Sequence, residues 1–364
     1  MINRWLRLAF SHIDTFLLTS ISLLMLIGLF ILFSASGQKS ANVISQASNI
    51  AVALTIMWAV ASVNPQRLLQ FAVPLYVVGV VLLVGVALFG HISHGARRWL
   101  DIGPMHIQPS EIMRTALPLM LAWYFERREG DIRLKDFIIA ALLLAVPAAL
   151  IAKQPDLGTA LLVTASGFYV LFFAGLSWRI MGGLAVAFAA SLPVIWSHLH
   201  DYQRQRVLTL IDPMQDPLGT GYHTIQATIA IGSGGVVGKG WLHGTQTHLD
   251  FLPEATTDFI FAVFGEEFGL IGNILLLTLF LIIIIRGLVI ASNATSLGGR
   301  LLAGSITMTF FTYAFVNMGM VSGILPVVGV PLPMVSYGGT SLVSLLLGFG
   351  ILMSIQTHRK LVKT

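Results

Sequence analysis

Five ionisable side chains lie in stretches otherwise apolar enough to cross a bilayer: Glu111, Arg114, Asp258, Glu266 and Glu267. Charge at that depth is costly and marks a place where protein lines a cavity, pairs charges or moves protons. Glu111 and Arg114 are three residues apart, which makes them neighbours on one helical face. Two readings stand for this pair. It is a self-neutralising couple that makes burial tolerable, or it is the polar lining of an outward-opening cavity that receives a lipid head group. Asp258 follows Leu252-Pro253-Glu254-Ala255-Thr256-Thr257 and opens a long apolar run. A carboxylate in a first turn is an ordinary helix start, favoured by the macrodipole. It is also a place for a general base, provided a partly dry site raises its pKa against the helix terminus. At about 100° per residue, Glu266 and Glu267 lie about 80° and 180° round from Asp258. The three cannot share one pocket equally, so the two glutamates are expected to hydrogen-bond between helices.

Outside the apolar runs, Arg204, Arg206 and Lys239 form a second group of candidates. Such cations grip a pyrophosphate, arginine doing so bidentately, or they attract anionic lipid heads. Gly232, Gly234, Gly235, Gly238 and Gly240 follow no strand of a βαβ unit, so a dinucleotide site is excluded. Glycines that let the backbone turn or pack closely account for them better. The chain has no cysteine, which removes disulfides, thiolate metal sites and cysteine nucleophiles. No HExxH or comparable ligand spacing occurs, so no structural metal is expected.

The elements that must position these residues follow from composition. Of 364 residues, 56% are hydrophobic and 10% charged, where a soluble domain carries about 25% charged. The bilayer must be the main solvent. Ten segments approach the roughly 20 apolar residues of a membrane helix: near 16–35, 47–63, 70–90, 109–125, 136–152, 158–175, 180–197, 258–286, 301–323 and 338–356. The first is too long for the h-region of a signal peptide and reads as an uncleaved span. The fourth is the least apolar, and Pro109 suits its first helical position. The fold class is therefore all-α: a polytopic membrane protein of ten transmembrane helices, one domain over 1–364, with a long outer loop at 198–257. With both termini in the cytoplasm, the inner segments hold 13 Lys and Arg and the outer ones 7, which is the orientation the charge bias favours. That bias also explains the net charge of +5. No basic stripe interleaved with polar residues supports nucleic-acid binding. The connection 326–341 holds Pro326, Pro331, Pro333, Gly329, Gly338 and Gly339. It cannot be helical throughout, and a re-entrant segment is expected, tolerated only against protein or a water-filled cavity.

Several strings together resemble the SEDS family (shape, elongation, division and sporulation). They are Gln108-Pro109-Ser110-Glu111, Gln154-Pro155-Asp156-Leu157-Gly158, Asp216-Pro217-Leu218-Gly219, Leu252-Pro253-Glu254 with Thr257-Asp258-Phe259-Ile260-Phe261, Gly265-Glu266-Glu267, and Pro331-Leu332-Pro333 with Ser336-Tyr337-Gly338-Gly339. They fall in the family's order from about residue 90 onward. Asp201-Tyr202-Gln203-Arg204-Gln205-Arg206 and Gly238-Lys239-Gly240-Trp241-Leu242-His243-Gly244-Thr245-Gln246 resemble its RodA-type, elongation branch. The resemblance implies a peptidoglycan glycosyltransferase of the inner membrane. It would polymerise lipid II on the periplasmic face, beside a class B penicillin-binding protein. It places the essential carboxylate at Asp258 and a second functional one at Glu111. Where Arg114 stands the family commonly has Lys. A planar fork and a point charge are not equivalent. On this reading Asp258 is the base, and Arg204, Arg206, Lys239 or a divalent cation such as Mg2+ stabilises the departing pyrophosphate. Glu111 and Arg114 shape the cavity. The alternative is a lipid II flippase or transporter, which also needs many spans, buried charge and a broken outer segment.

Overall fold

The computed structural model describes residues 12–358 apart from 94–95, 103–104, 155, 200, 216, 218–220, 250 and 253. Expectations resting on Arg4, Arg7, Pro155, Asp216, Leu218, Gly219, Pro253, Arg359, Lys360 and Lys363 lie outside the described residues. The helices are α1 (Thr15–Ala35), α2 (Ser40–Ala61), α3 (Pro65–Gln70), α4 (Ala72–Phe89), α5 (Pro109–Glu126), α6 (Leu134–Ala152), α7 (Leu157–Phe173) and α8 (Trp178–His198). They continue with α9 (Asp201–Ile211), α10 (Tyr222–Gly234), α11 (Thr245–His248), α12 (Ile260–Ser292), α13 (Leu297–Val321) and α14 (Gly339–Thr357).

Local sequence sets many of the starts. A helix leaves its first N–H groups without intrahelical partners, and a polar side chain supplies one. Asp14 accepts from Leu17 N at 2.8 Å to open α1. Asp156 accepts from Thr159 N at 3.2 Å to open α7, and Ser296 from Gly299 N at 3.1 Å to open α13. Pro109 takes the first position of α5, as its sequence indicates. The apolar faces pack α14 along α2, α13 between α12 and α7, and α5 against α4, α7 and α13.

Each of the ten expected segments is a helix, but the count of ten spans is not reached on length and composition. Eight of the helices among the described residues are long and apolar enough to cross a membrane. The other two are α5, which carries Glu111 and Arg114, and α7, which is short at 17 residues. Two further features were not anticipated. The outer segment before α5 forms a small antiparallel sheet, β1 (His91–Ser93), β2 (Ala96–Ile102) and β3 (Met105–Ile107), in the order β1-β2-β3. The long outer segment itself holds three helices, α9, α10 and α11.

The eighth segment departs most from expectation. It begins at Ile260 rather than at 258, and it is broken at Gly269, whose φ of 62° and ψ of −159° are not helical. A break strands carbonyls above it and N–H groups below it. The glycine-rich stretch 235–240 supplies partners to both sides. Leu270 N donates to Gly235 O at 2.9 Å and Ile271 N to Val236 O at 3.1 Å. Lys239 N and Gly240 N donate to the carbonyls of Glu266 and Glu267, each at 3.0 Å. The approach is close enough to require glycine. A Cβ at Gly238 would stand 2.1 Å from Glu267 O, and Gly238 also has φ +82°.

Gly238→Ala should therefore cost about 1–3 kcal/mol in backbone strain alone, with the clash added. The measurement is the thermal unfolding midpoint in detergent. Gly232→Ala, where a Cβ meets nothing within 4 Å, should leave the midpoint nearly unchanged.

Candidate active site

Asp258 is not a helix cap. The N-cap of α12 is Phe259, with no side-chain bond, and Asp258 belongs to the turn before it. That turn is pinned by the irregular connection between α13 and α14. Asn317, fully buried on α13, donates its amide to Asp258 O at 2.8 Å and to Val330 O at 2.7 Å. Ser336 Oγ donates to Thr257 O at 2.6 Å and accepts from Leu332 N at 2.8 Å. Tyr337 N donates to Thr256 O at 2.9 Å. From the other side, Gln46 on α2 donates to Ser336 O at 3.3 Å and accepts from Gly338 N at 3.2 Å. Val330, Leu332, Met334 and Val335 are all buried. The expected irregular segment is thus present and lies within protein, where its backbone groups find partners.

These bonds hold the Asp258 carboxylate against Gly329. A Cβ at Gly329 would lie 3.4 Å from Asp258 Oδ2, and φ there is +73°. The side chain is half-buried. Burial pushes the Asp258 carboxyl up to about 6, Glu254 adds to the rise by like-charge repulsion, and Arg206 opposes both. A carboxylate tuned toward neutrality while remaining partly open suits proton transfer better than it suits a structural ion pair. His223 on α10 completes the surroundings. It stacks on Phe259 at 5.7 Å, and burial lowers its pKa while Glu254 raises it.

The three outer cations separate. Arg206 is the one whose charge reaches Asp258. It lines a small recess with Thr209, Thr224, Pro326 and Val327. Arg204 instead donates to the carbonyls of Trp196 at 3.1 Å and Ser197 at 2.8 Å, near the end of α8. Lys239 Nζ is 2.7 Å from Glu266 Oε1 and donates to Thr245 Oγ1 at 2.7 Å. Of the three, Arg204 closes a helix end, Lys239 sits on a buried carboxylate, and Arg206 acts on Asp258. Glu266 bonds the short helix α11, accepting also from Gln246 N at 3.0 Å. Glu267 reaches across helices and accepts from Ser34 of α1.

Glu111 and Arg114 line adjoining spaces. Glu111 faces a cavity of about 540 Å³ between α2, α4, α5 and α14. Its polar lining is Asn49, Gln108, Thr115, Thr340 and Ser344, and Val52, Leu75, Ile112, Val343 and Leu347 make it largely apolar. The Thr340 hydroxyl donates to Glu111, and Arg114 balances its charge. Arg114 Nη1 donates to Ser344 Oγ at 3.1 Å, and its guanidinium lies 4.3 Å over the Tyr313 ring. The pair is close enough for its charges to interact. The charges offset one another, and Glu111 also borders a cavity.

Asn317, Gln46 and His223 were not singled out from sequence, and Gly329 and Glu254 stood there only as members of longer strings. A lone Asn in a membrane helix is itself a signal, because its amide must find a partner there. Among the described residues no three His, Asp or Glu side chains group as metal ligands.

The family model for the cell cycle proteins FtsW, RodA and SpoVE matches residues 13–361. Peptidoglycan glycosyltransferase MrdB of Escherichia coli (strain K12) is 52% identical over 352 residues, 96% of this chain and 95% of that one. Probable peptidoglycan glycosyltransferase FtsW of Geobacter metallireducens is 38% identical over 297 residues, 80% of this chain and 78% of that one. A solved structure described as "structural coordination of polymerization and crosslinking by a peptidoglycan synthase complex" superposes with TM-score 0.81 at 33% identity, covering 96% and 99% of the two chains. Thermus thermophilus RodA gives TM-score 0.73 at 28% identity, covering 96% and 98%. With a family model and relatives that span nearly its whole length, the chain belongs to the FtsW/RodA/SpoVE family of integral membrane proteins.

Proposed function

We propose that this chain is a peptidoglycan glycosyltransferase that extends glycan strands from lipid II, with Asp258 as the general base. The observation that carries the reading is the half-buried Asp258 carboxylate, raised to about 6 and held on a turn braced by Asn317 and the 326–338 segment. Asp258 removes the proton from the 4-hydroxyl of the acceptor sugar. That oxygen then attacks the anomeric carbon of the donor, and the carbon–oxygen bond to pyrophosphate breaks with its electron pair leaving on the lipid pyrophosphate. An α-linked donor becomes a β-1,4 bond. Glycosidases usually need a second carboxyl to protonate a poor leaving group; pyrophosphate needs no proton. One base suffices, and Arg206, whose charge acts on Asp258, offsets the developing negative charge.

The Glu111 cavity serves as a lipid-substrate subsite. Its size falls within the roughly 300–1,000 Å³ of ordinary ligand clefts, so it holds part of a lipid-linked disaccharide rather than all of it. The charge bias supports cytoplasmic termini and a periplasmic site in the inner membrane, with α5 and α7 crossing as the ninth and tenth spans. The partner is a transpeptidase of the class B penicillin-binding type, which would cross-link the emerging strand.

Asp258→Asn keeps size but accepts no proton. Purified protein carrying it should polymerise lipid II about 10²–10⁴-fold more slowly with an unchanged melting midpoint. Near-normal strand synthesis would sink the base assignment. A flippase would instead move lipid II across vesicles and make no polymer.

The pH profile gives a second check. The base works ionised, so activity should fall as pH drops through about 6. Glu254→Gln removes a like charge and should move this acid limb to lower pH. Arg206→Gln removes the opposing cation and should move it to higher pH. An acid limb that ignores both substitutions would assign it to another group.

A further inference from the structure

We infer that the turn between α10 and α11, residues 235–241, is inserted among the lipid acyl chains of the outer leaflet, although it belongs to the segment expected outside the membrane. The inference is independent of the reaction.

Two rulers give its depth. Asp14 caps the start of α1 and pairs with Arg286 of α12, with Arg286 Nε 3.2 Å from Asp14 Oδ1. This pair is a natural marker for the inner edge of the hydrocarbon, because charge is expelled from the core. Phe30 lies sixteen residues beyond Asp14 on α1, and Leu270 sixteen residues before Arg286 on α12. At 1.5 Å per residue both stand about 24 Å above the marker. The hydrocarbon is about 30 Å thick. The two rulers agree with each other. Ser34 bonds Glu267 at the next level up, about 30 Å along α1. Helix tilt shortens the vertical rise and only deepens the position.

The turn touches both rulers about 6 Å below the outer boundary. Gly235 O and Val236 O take the N–H groups of Leu270 and Ile271. Trp241 stacks on Phe30 with ring centroids 4.2 Å apart and donates its indole N–H to Phe30 O at 3.4 Å. The outward side chains at this level are apolar. Val236 is 61% exposed and Val237 72%, beside Leu270 at 54%, Ile271 at 50% and Phe30 at 46%. They form one surface, continuous with the lipid-facing sides of α1 and α12. Irregular backbone is tolerated at that depth only where its polar groups are satisfied. The break at Gly269 satisfies them, through the bonds to Leu270, Ile271, Glu266 and Glu267. The Lys239–Glu266 pair lies close to the boundary, where a lysine stem crosses apolar surface and its charge stays at the edge.

The absence of cysteine allows a direct test. Val236→Cys and Val237→Cys each give a single thiol for a nitroxide label, in vesicles of phosphatidylethanolamine and phosphatidylglycerol. Leu275→Cys, on the lipid-facing side of α12, and Met214→Cys, in the outer segment, give the two references. Collision of the labels with oxygen and with a water-soluble nickel chelate reports depth. The expected result is an oxygen-to-nickel ratio at 236 and 237 several-fold above that at 214 and close to that at 275. A ratio nearer to that at 214 at both positions overturns the insertion. The two labels are separate variants, so a folding defect in one leaves the other to decide.

Discussion

Asn317 is the joint on which the rest of the site depends. Its amide donates to Asp258 O and Val330 O, tying the turn that carries the proposed base to the irregular segment that walls it. Neither stretch is a regular helix, so each satisfies only part of its own backbone. An unpaired buried carbonyl costs of the order of 1–3 kcal/mol, and one buried side chain here serves two. Ser336 repeats the device with Thr257 O and Leu332 N, and Gln46 closes the far side. Asp258 therefore stands on a frame fixed from α2 and α13, not on a loose loop. Preorganisation of this kind is what a base needs, since misplacement by an ångström is expensive in rate.

Four other carboxylates are neutralised close at hand. Glu266 has Lys239, Asp14 has Arg286, Asp136 has Arg128 at 3.1 Å, and Glu111 has Arg114. Asp258 differs, because its nearest carboxyl neighbour opposes its ionisation and its cation only partly compensates. That imbalance, rather than the carboxylate alone, separates the proposed base from the structural acids of the same molecule.

Much of this was legible in the sequence. Apolar run lengths located every long helix, Pro109 marked its helix start, and Pro326 to Gly339 announced an irregular segment. The acids worth weighing were few enough to name. What stayed hidden required contacts between distant segments. Gly269 reads as one more small residue in an apolar run, and nothing local says that the helix breaks there. Lys239 looked available because its partner, Glu266, is brought to it only by the turn that the break accommodates. Asp258 looked like a helix start because a cap and a turn one residue earlier have the same composition. Asn317 was passed over because a single amide has no spacing to betray it.

The clasp at Gly269 also restricts how the chain can vary. Four backbone bonds fix the residues from Gly235 to Gly240 in register with both sides of the break. Adding or deleting one residue between them would slide every later pairing by a step and carry Lys239 away from Glu266. Length differences between relatives should then collect on either side of this short stretch and spare its interior, so that spacing is held there even where side chains drift.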